Sequence, residues 1–307
     1  MDEFELIRRF FSRPTDSPAV VAGVGDDGAV IRPAAGRELV TVIDTMVAGT
    51  HFPAALGARD IGYRIVAVNL SDIAAMGAEP RWMTLALTLP EADGEWLEAF
   101  AAGLYEAASE WNVALVGGDT TKGDQLVVSV QMEGDLAPGT ALYRSGAKAG
   151  DTLFVTGTVG DAAAGLDRLS AGSSDDYLCA RFRRPSARVA VGRALAGIAH
   201  AAIDLSDGLV ADLSKLLEAS GAGAEIDLQR LPLSQELLAT VGRERALQYA
   251  MVGGDDYELC FTLPESRLPA GVSGEVTAIG RVTAETGLVC RDGDSLVAFD
   301  DTGYRHF

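Results

Sequence analysis

Six times along this chain an apolar run ends in aspartate: VAGVGDD (21–27), VTVIDT (40–45), IVAVNLSD (65–72), ALVGGDTT (114–121), AAIDLSDG (201–208) and AMVGGDDYEL (250–259). A fold that buries these runs must place carboxylates at or just beyond the ends of its buried elements. Taken one at a time, Asp beside Gly is an ordinary turn former or helix cap. Taken together, the six clusters share one sign of charge and contain almost no Lys or Arg. Carboxylates that converge repel one another and raise each other's pKa unless cations neutralise them, so the pattern predicts bound metal. With hard oxygen donors and few His or Cys, magnesium is favoured, with manganese and calcium as rivals. The candidate ligands are Asp27, Asp44, Asp72, Asp119, Asp204 and Asp207.

The same bias runs through the whole chain. Forty-four acidic against 25 basic residues give a formal charge of −19, which argues against a nucleic-acid surface or an anionic membrane as partner. Phosphorylated ligands remain compatible if divalent cations stand between carboxylate and phosphate. Cys179, Cys260 and Cys290 form no C-x-x-C pair, so neither a disulfide framework nor a zinc site is expected, and a reducing cytoplasm fits. The opening MDEFELIRRFFSR reads as an amphipathic helix rather than a secretory signal, and no run reaches the ~18 apolar residues of a membrane span.

At 307 residues the chain exceeds what one hydrophobic core usually serves, so two domains are expected. Runs rich in Val, Ile and Leu predict strands at 20–24, 39–43, 83–89, 113–116 and 126–132, and helical spacing covers 60–76 and 91–111. The Pro- and Gly-containing stretch 137–151 marks a boundary, giving domains 1–137 and 138–307. The second half repeats the mixture, with strands at 152–156, 224–228, 258–263 and 276–281 and helices near 162–169, 187–197 and 209–219. A mobile loop is expected at 171–176. NLSD to VGGD in the first half and DLSD to VGGD in the second are separated by 47 and 48 residues, a weak echo of duplication.

GVGDDGAV (23–30) has the spacing of a glycine-rich nucleotide loop, but its aspartates would face the anion. A dinucleotide fingerprint needs a crossover helix next, which Pro33 and Gly36 preclude; the downstream kinase motifs and the P-loop Lys are missing from the sequence. VTGTVGDAAAGL (155–166) could hold phosphate at a helix N-terminus or could be a plain helix cap, and Arg144 could pair with phosphate or with a carboxylate.

In order along the chain, GVGDDGAV, VIDTMVAGTHF, VNLSDIAAMGAEP, VGGDTTKG, LYRSGAKAGD, VTGTVGDAAAGL, AIDLSDGLVADL, GGDDYELCF and the closing GYRHF resemble the thiamine-monophosphate kinase family, of the aminoimidazole ribonucleotide synthetase-like superfamily. The resemblance implies an α+β fold of two mixed α/β domains with the active site between them. The first domain, 1–137, would bind metal and nucleotide and pair in a homodimer, and the second, 138–307, would complete the phosphate and substrate site. It implies transfer of the γ-phosphoryl group of ATP to thiamine monophosphate. By family position Asp27, Asp44, Asp72, Asp119, Asp204 and Asp207 are ligands of several Mg²⁺ ions, with no catalytic side chain beyond that metal cluster. Gly118, Arg144 and Ser206 fall at nucleotide positions, and His51, Asp255 and Tyr304 at substrate positions. The chain departs from the family pattern in having Asp255 where Glu is usual, and Val42 and Ile43 where hydroxyl residues are common. Rival readings are another ATP-dependent enzyme of the superfamily and a non-catalytic, divalent-cation-binding acidic module.

Overall fold

The structure, a computed structural model, describes residues 3–173 and 176–299, so the middle of the loop expected at 171–176 lies outside the described residues. The chain forms two compact units, 1–73 with 79–138, and 74–78 with 139–307.

In the first unit, β3 (Glu38–Val47), β4 (Glu79–Leu89), β5 (Ala114–Lys122) and β6 (Val127–Leu136) form a four-stranded sheet in the order β3-β6-β4-β5. β6 runs antiparallel to β3 and β4, whereas β4 and β5 are parallel. A parallel pair needs a long crossover, and α3 (Gly94–Glu110) supplies it. Asp93 caps that helix by accepting the Glu95 and Trp96 N–H groups. α2 (Ala58–Ala75) joins β3 to β4. Ile61, Ile65, Ile73, Leu97, Phe100 and Leu104 bury the facing stripes of the two helices. The helices can approach this closely because a Cβ at Gly62 would strike the Phe100 carbonyl and one at Gly103 the Arg59 carbonyl.

A small antiparallel hairpin of β1 (Val20–Ala22) and β2 (Val30–Ile31) packs Val20 and Ile31 on Trp82, Ala114 and Val116. The expected N-terminal helix is short: α1 (Glu3–Leu6) passes into a wider turn, Ile7–Phe11. Phe11 meets the Phe100 ring edge-on at 6.3 Å, the Tyr105 hydroxyl donates to the Phe11 carbonyl at 2.9 Å, and the Arg13 guanidinium covers the Tyr105 ring.

The second unit is built on a seven-stranded sheet, β13-β12-β9-β11-β7-β10-β8. Its strands are β7 (Thr152–Thr156), β8 (Ala201–Asp204), β9 (Gly223–Asp227), β10 (Leu259–Leu263), β11 (Val276–Thr283), β12 (Gly287–Asp292) and β13 (Ser295–Val297). All neighbours are antiparallel except β12 with β9. The helices are α4 (Asp161–Ser170), α5 (Tyr177–Arg183), α6 (Val189–Leu195), α7 (Leu209–Ser220) and α8 (Gln235–Val252). Leu153 and Val155 of β7 join Leu213, Leu216 and Leu217 of α7 in one buried cluster.

One sequence expectation fails here, and two helices lie outside those expected. The echo between the halves is not structural: NLSD lies inside α2 while DLSD runs off the end of β8, and the first VGGD lies in β5 while the second leaves α8. α5 and α8 have no counterpart among the expected helices, and α8 is itself broken at Gly242, whose φ of 74° is non-helical.

Candidate active site

In the first unit the GVGDDG loop turns back on itself, with the Asp27 N–H donating to Asp26 Oδ1 at 2.9 Å. It borders a cavity of about 340 Å³ whose other walls come from Phe11, Leu85 and the Leu115–Thr120 stretch of β5. Asp27, Gly118 and Asp119, three of the expected site residues, line this one cavity although up to 92 positions separate them. Its walls are apolar at Ile7, Phe11, Val24 and Leu85 and acidic at Asp26, Asp27 and Asp119.

Asp44 on β3 and Asp72 in α2 are brought into side-chain hydrogen-bond contact. Burial pushes the Asp44 carboxyl above the usual aspartate range, and the bond to Asp72 offsets part of that rise. Two carboxylates in such contact share a proton or a cation. Val42 and Ile43, the departures from the family pattern, lie just before Asp44 in the β3–β6 ladder, with Ile43 exposed. His51 closes a tight turn after β3, where its Nδ1 accepts the Val47 N–H at 3.0 Å and its own N–H donates to the Val47 carbonyl. The Nδ1 lone pair is thereby engaged and the proton sits on Nε2.

In the second unit Asp204 ends β8, almost completely buried, and Ser206 and Asp207 follow in the turn into α7. Asp212, 1% exposed, holds that turn: its Oδ2 accepts the Ser206 N–H at 2.9 Å and the Asp207 N–H at 2.8 Å. Lys215 bridges Asp212 Oδ1 at 2.9 Å and Asp207 Oδ2 at 2.6 Å. Arg144 is exposed, with its carbonyl accepting the Ser220 hydroxyl at 3.0 Å. Asp255 adopts a left-handed φ of 73°, and its N–H donates to the Ser206 carbonyl at 2.9 Å. Tyr304 lies outside the described residues.

The helix N-terminus offered by VTGTVGDAAAGL is filled by the chain itself. Asp256 Oδ2 accepts the Gly160 N–H at 2.6 Å and Oδ1 the Ala162 N–H at 3.3 Å, so these donors are not available to phosphate. Burial drives the Asp256 carboxyl up to about 8, while the two N–H groups and Arg181 pull the other way.

Next to it lies a buried ion cluster that sequence reasoning missed. Glu258, 0% exposed, accepts from Arg181 Nη2 at 2.9 Å, Arg188 Nε at 2.6 Å and Nη2 at 2.7 Å, and the Thr156 hydroxyl at 2.5 Å. Asp161, also 0% exposed, accepts the Thr158, Ser234 and Tyr177 hydroxyls. Gly157, with φ of 53°, sits against Glu258 and Arg188 where no Cβ would fit. Partners 70 to 102 residues apart carry no local signal. Asp212 did carry one, since it falls on the apolar face of α7 with Leu209, Leu213 and Leu216.

Among the described residues, no three of His, Cys, Asp and Glu converge into a ready-made metal cage. Magnesium does not require one, because it keeps several waters and is held by one or two carboxylates together with substrate phosphates. The Asp44–Asp72 pair, and Asp26, Asp27 and Asp119 on the cavity wall, are hard-oxygen donors of the kind such a cation takes.

The AIR synthase related protein N-terminal domain matches residues 25–136, and the corresponding C-terminal domain matches 148–293. Thiamine-monophosphate kinase of Escherichia coli K12 is 46% identical over 99% of this chain and 98% of its own length. The crystal structure of thiamine-monophosphate kinase from Stenotrophomonas maltophilia K279a is 41% identical, covers 96% of this chain and 98% of that one, and superposes with a TM-score of 0.88. A further solved structure, AaThiL complexed with AMPPCP and TMP, is 32% identical over 92% of each chain with a TM-score of 0.81. With both domain models matched in order and relatives aligned end to end, the chain belongs to the thiamine-monophosphate kinase family of AIR synthase related proteins.

Proposed function

We propose that this protein transfers the γ-phosphoryl group of ATP directly to the phosphate of thiamine monophosphate, yielding thiamine diphosphate and ADP, with Mg²⁺ as the resident cation. The observation that carries this reading is the end-to-end relationship to a kinase whose structure holds an ATP analogue and TMP together. The acceptor needs no general base, because a phosphate monoester has a second pKa near ~6 and is mostly ionised at neutral pH. The obstacle is repulsion between two polyanions. Bound magnesium neutralises phosphate charge and aligns an in-line displacement.

In this reading Asp44 and Asp72 hold a shared cation, and Asp27 and Asp119 bind cations at the rim of the cavity. Asp204 and Asp207 serve the same purpose on the second unit. Asp207 must then share its carboxylate with Lys215 or release it. Gly118, Arg144 and Ser206 contact nucleotide, and His51, Asp255 and Tyr304 contact the thiamine moiety. His51 would donate through Nε2, the nitrogen its turn leaves protonated.

The first unit also mediates a homodimer. Leu39 and Ile43 stand exposed at 47% and 65% on β3, the edge strand of the sheet, and a second copy would cover them. Sedimentation of the wild type and of Ile43→Lys reads the dimer directly. A cytoplasmic setting suits the substrates and the three unpaired, buried cysteines.

The deciding experiment incubates purified protein with Mg·ATP and thiamine monophosphate and separates the products by chromatography. Thiamine diphosphate and ADP should form in equal amounts. Folded protein that binds nucleotide but makes no thiamine diphosphate would refute the reading and leave the cation-binding module.

A further inference from the structure

The three acids of GGDDYEL are neighbours in sequence, yet they have three different surroundings. Asp255 contacts the Tyr257 hydroxyl at 3.4 Å. Asp256 is 3% exposed and its carboxylate accepts the N–H groups of Gly160 and Ala162. Glu258 is sealed against Arg181 and Arg188. The backbone that separates them in this way is unusual. Asp255 and Tyr257 both have left-handed φ, 73° and 53°, with Asp256 between them. Residues other than Gly persist in that region only where the surroundings over-determine them, and such strain gathers at ligand sites.

Here the over-determination can be traced. On one side of the segment, the Asp255 and Tyr257 N–H groups donate to the carbonyls of Ser206 and Leu205, lacing it to the DLSD turn. On the other, the Asp256 carboxylate ties it to the first turn of α4. The DLSD turn has its own independent anchor, since Asp212 accepts the Ser206 and Asp207 N–H groups. Two loops thus meet, and a buried carboxylate holds each one.

We propose that Asp256 is a positioning residue: by clamping the strained 253–257 segment onto the start of α4, it holds Asp255 in the geometry that recognises thiamine monophosphate, while Asp212 does the corresponding work for the nucleotide-side turn at Ser206 and Asp207. The proposal rests on the kinase reading above and deepens it. Asp256 itself touches no substrate. Without its carboxylate the α4 N–H groups lose their acceptor, the left-handed residues relax, and Asp255 swings off target.

The test is a parallel measurement on the full-length enzyme with Asp256→Asn and Asp212→Asn, each nearly isosteric, and Asp256→Ala as the harsher version. Read out are KM for thiamine monophosphate, kcat, the affinity for AMPPCP by calorimetry with Mg²⁺, and the thermal midpoint. Asp256→Asn should raise KM for thiamine monophosphate about ten- to a hundredfold, the scale set by small misplacements of a positioned group. Its AMPPCP affinity should stay within about twofold on the same argument. Asp212→Asn should lower the AMPPCP affinity and, because the turn it holds also accepts the Asp255 N–H, raise KM for thiamine monophosphate with it, so the split is read on Asp256→Asn. A purely structural cap would instead lower the midpoint and the active fraction with both affinities unchanged, and that result overturns the proposal, as does equal damage to both substrates in Asp256→Asn. Should Asp256→Ala fail to fold, Asp256→Asn decides alone. A folded wild type without turnover would sink the kinase reading and this proposal with it, whereas active wild type with an unsplit Asp256→Asn sinks only the latter.

Discussion

Replacing Glu258 by Gln removes one charge and almost no volume, so it isolates what the buried ion cluster does for the second unit. Glu258 is fully buried, and its two guanidinium partners are 11% and 23% exposed. Removing one member of a buried pair typically costs about 3–5 kcal/mol, because the partner's charge stays behind without compensation. Two features place this case at the lower end. Arg188 is open enough for water to reach, and Arg181 keeps Asp161 within 3.7 Å. The expected loss is therefore about 3 kcal/mol. At roughly 2–4 °C per kcal/mol for a domain of this size, the thermal midpoint of the second unit should fall by about 6–12 °C. Arg188→Met is the control: it leaves Glu258 paired with Arg181, and its cost should be clearly smaller. Calorimetric or circular-dichroism melting of both variants, with urea titration to confirm that the transition stays cooperative, gives the comparison. A shift below about 2 °C for Glu258→Gln would mean that water or repacking compensates both arginines, and the claim that this cluster holds the unit together would be wrong.

The other expectations are narrower. Asp72→Asn should lower turnover by orders of magnitude with the fold intact, since it removes one carboxylate of the Asp44–Asp72 pair; steady-state assay with thiamine monophosphate decides, and near-normal turnover would make Asp72 a helix residue only. Gly157→Ala should destabilise the second unit by about 2 kcal/mol or more, because a Cβ there meets Glu258 and Arg188 at a left-handed φ; an unchanged urea midpoint would contradict that packing. The Asp256 carboxyl is raised in the folded state to about 8 from an ordinary 3.8, so its contribution to stability is complete below pH ~4 and declines as pH climbs toward 8. Relative to Asp256→Asn, the wild type should lose up to about 1.4 kcal/mol per pH unit over that window, and parallel urea midpoints at pH 5, 6 and 7 would refute the shift.

The sequence revealed those features whose cause is local. Alternation and helical spacing placed most strands of the first sheet and the helices that cover it, because each of these buries one face along a continuous stretch. The family motifs placed Asp27, Gly118 and Asp119, and the structure gathers them on one cavity. Features set by distant partners stayed hidden. The N-terminal stretch reads as an amphipathic helix, but it is short, with Phe11 docking on Phe100 and Arg13 on Tyr105 just beyond it. The helical spacing expected over 60–76 carries NLSD, and α2 indeed runs on through it to Ala75, because packing against α3 outweighs the turn preference of Asn and Asp. Arg181 and Arg188 carry no local signal of their role, since their partner Glu258 lies 77 and 70 residues away. Only the fold shows that both reach a Glu just before a fully buried strand.

A uniform run of aspartates invites one explanation, yet the chain uses its acids in two ways that the number −19 merges. Asp161, Asp212, Asp256, Glu258 and, at the end of the first sheet, Asp135 are all nearly inaccessible, and each has donors aimed at it. Those donors are backbone N–H groups, hydroxyls or arginines, such as Arg37 at 2.7 Å from Asp135. Arginines compensate the charge of Asp135 and Glu258 inside the fold, burial keeps the Asp256 carboxyl largely protonated at neutral pH, and none of these acids makes a demand for metal. Asp44 and Asp72 have each other, and Asp27 and Asp119 line a cavity; in the proposed reading these are the acids that take a cation from outside. Asp207 stands between the two groups, because Lys215 already donates to it at 2.6 Å. Any cation that binds there must compete with an ammonium group tethered three residues beyond Asp212. Calorimetry with Mg²⁺ on Lys215→Met should therefore show tighter binding than the wild type, and an unchanged isotherm would return Asp207 to the acids that serve the fold alone.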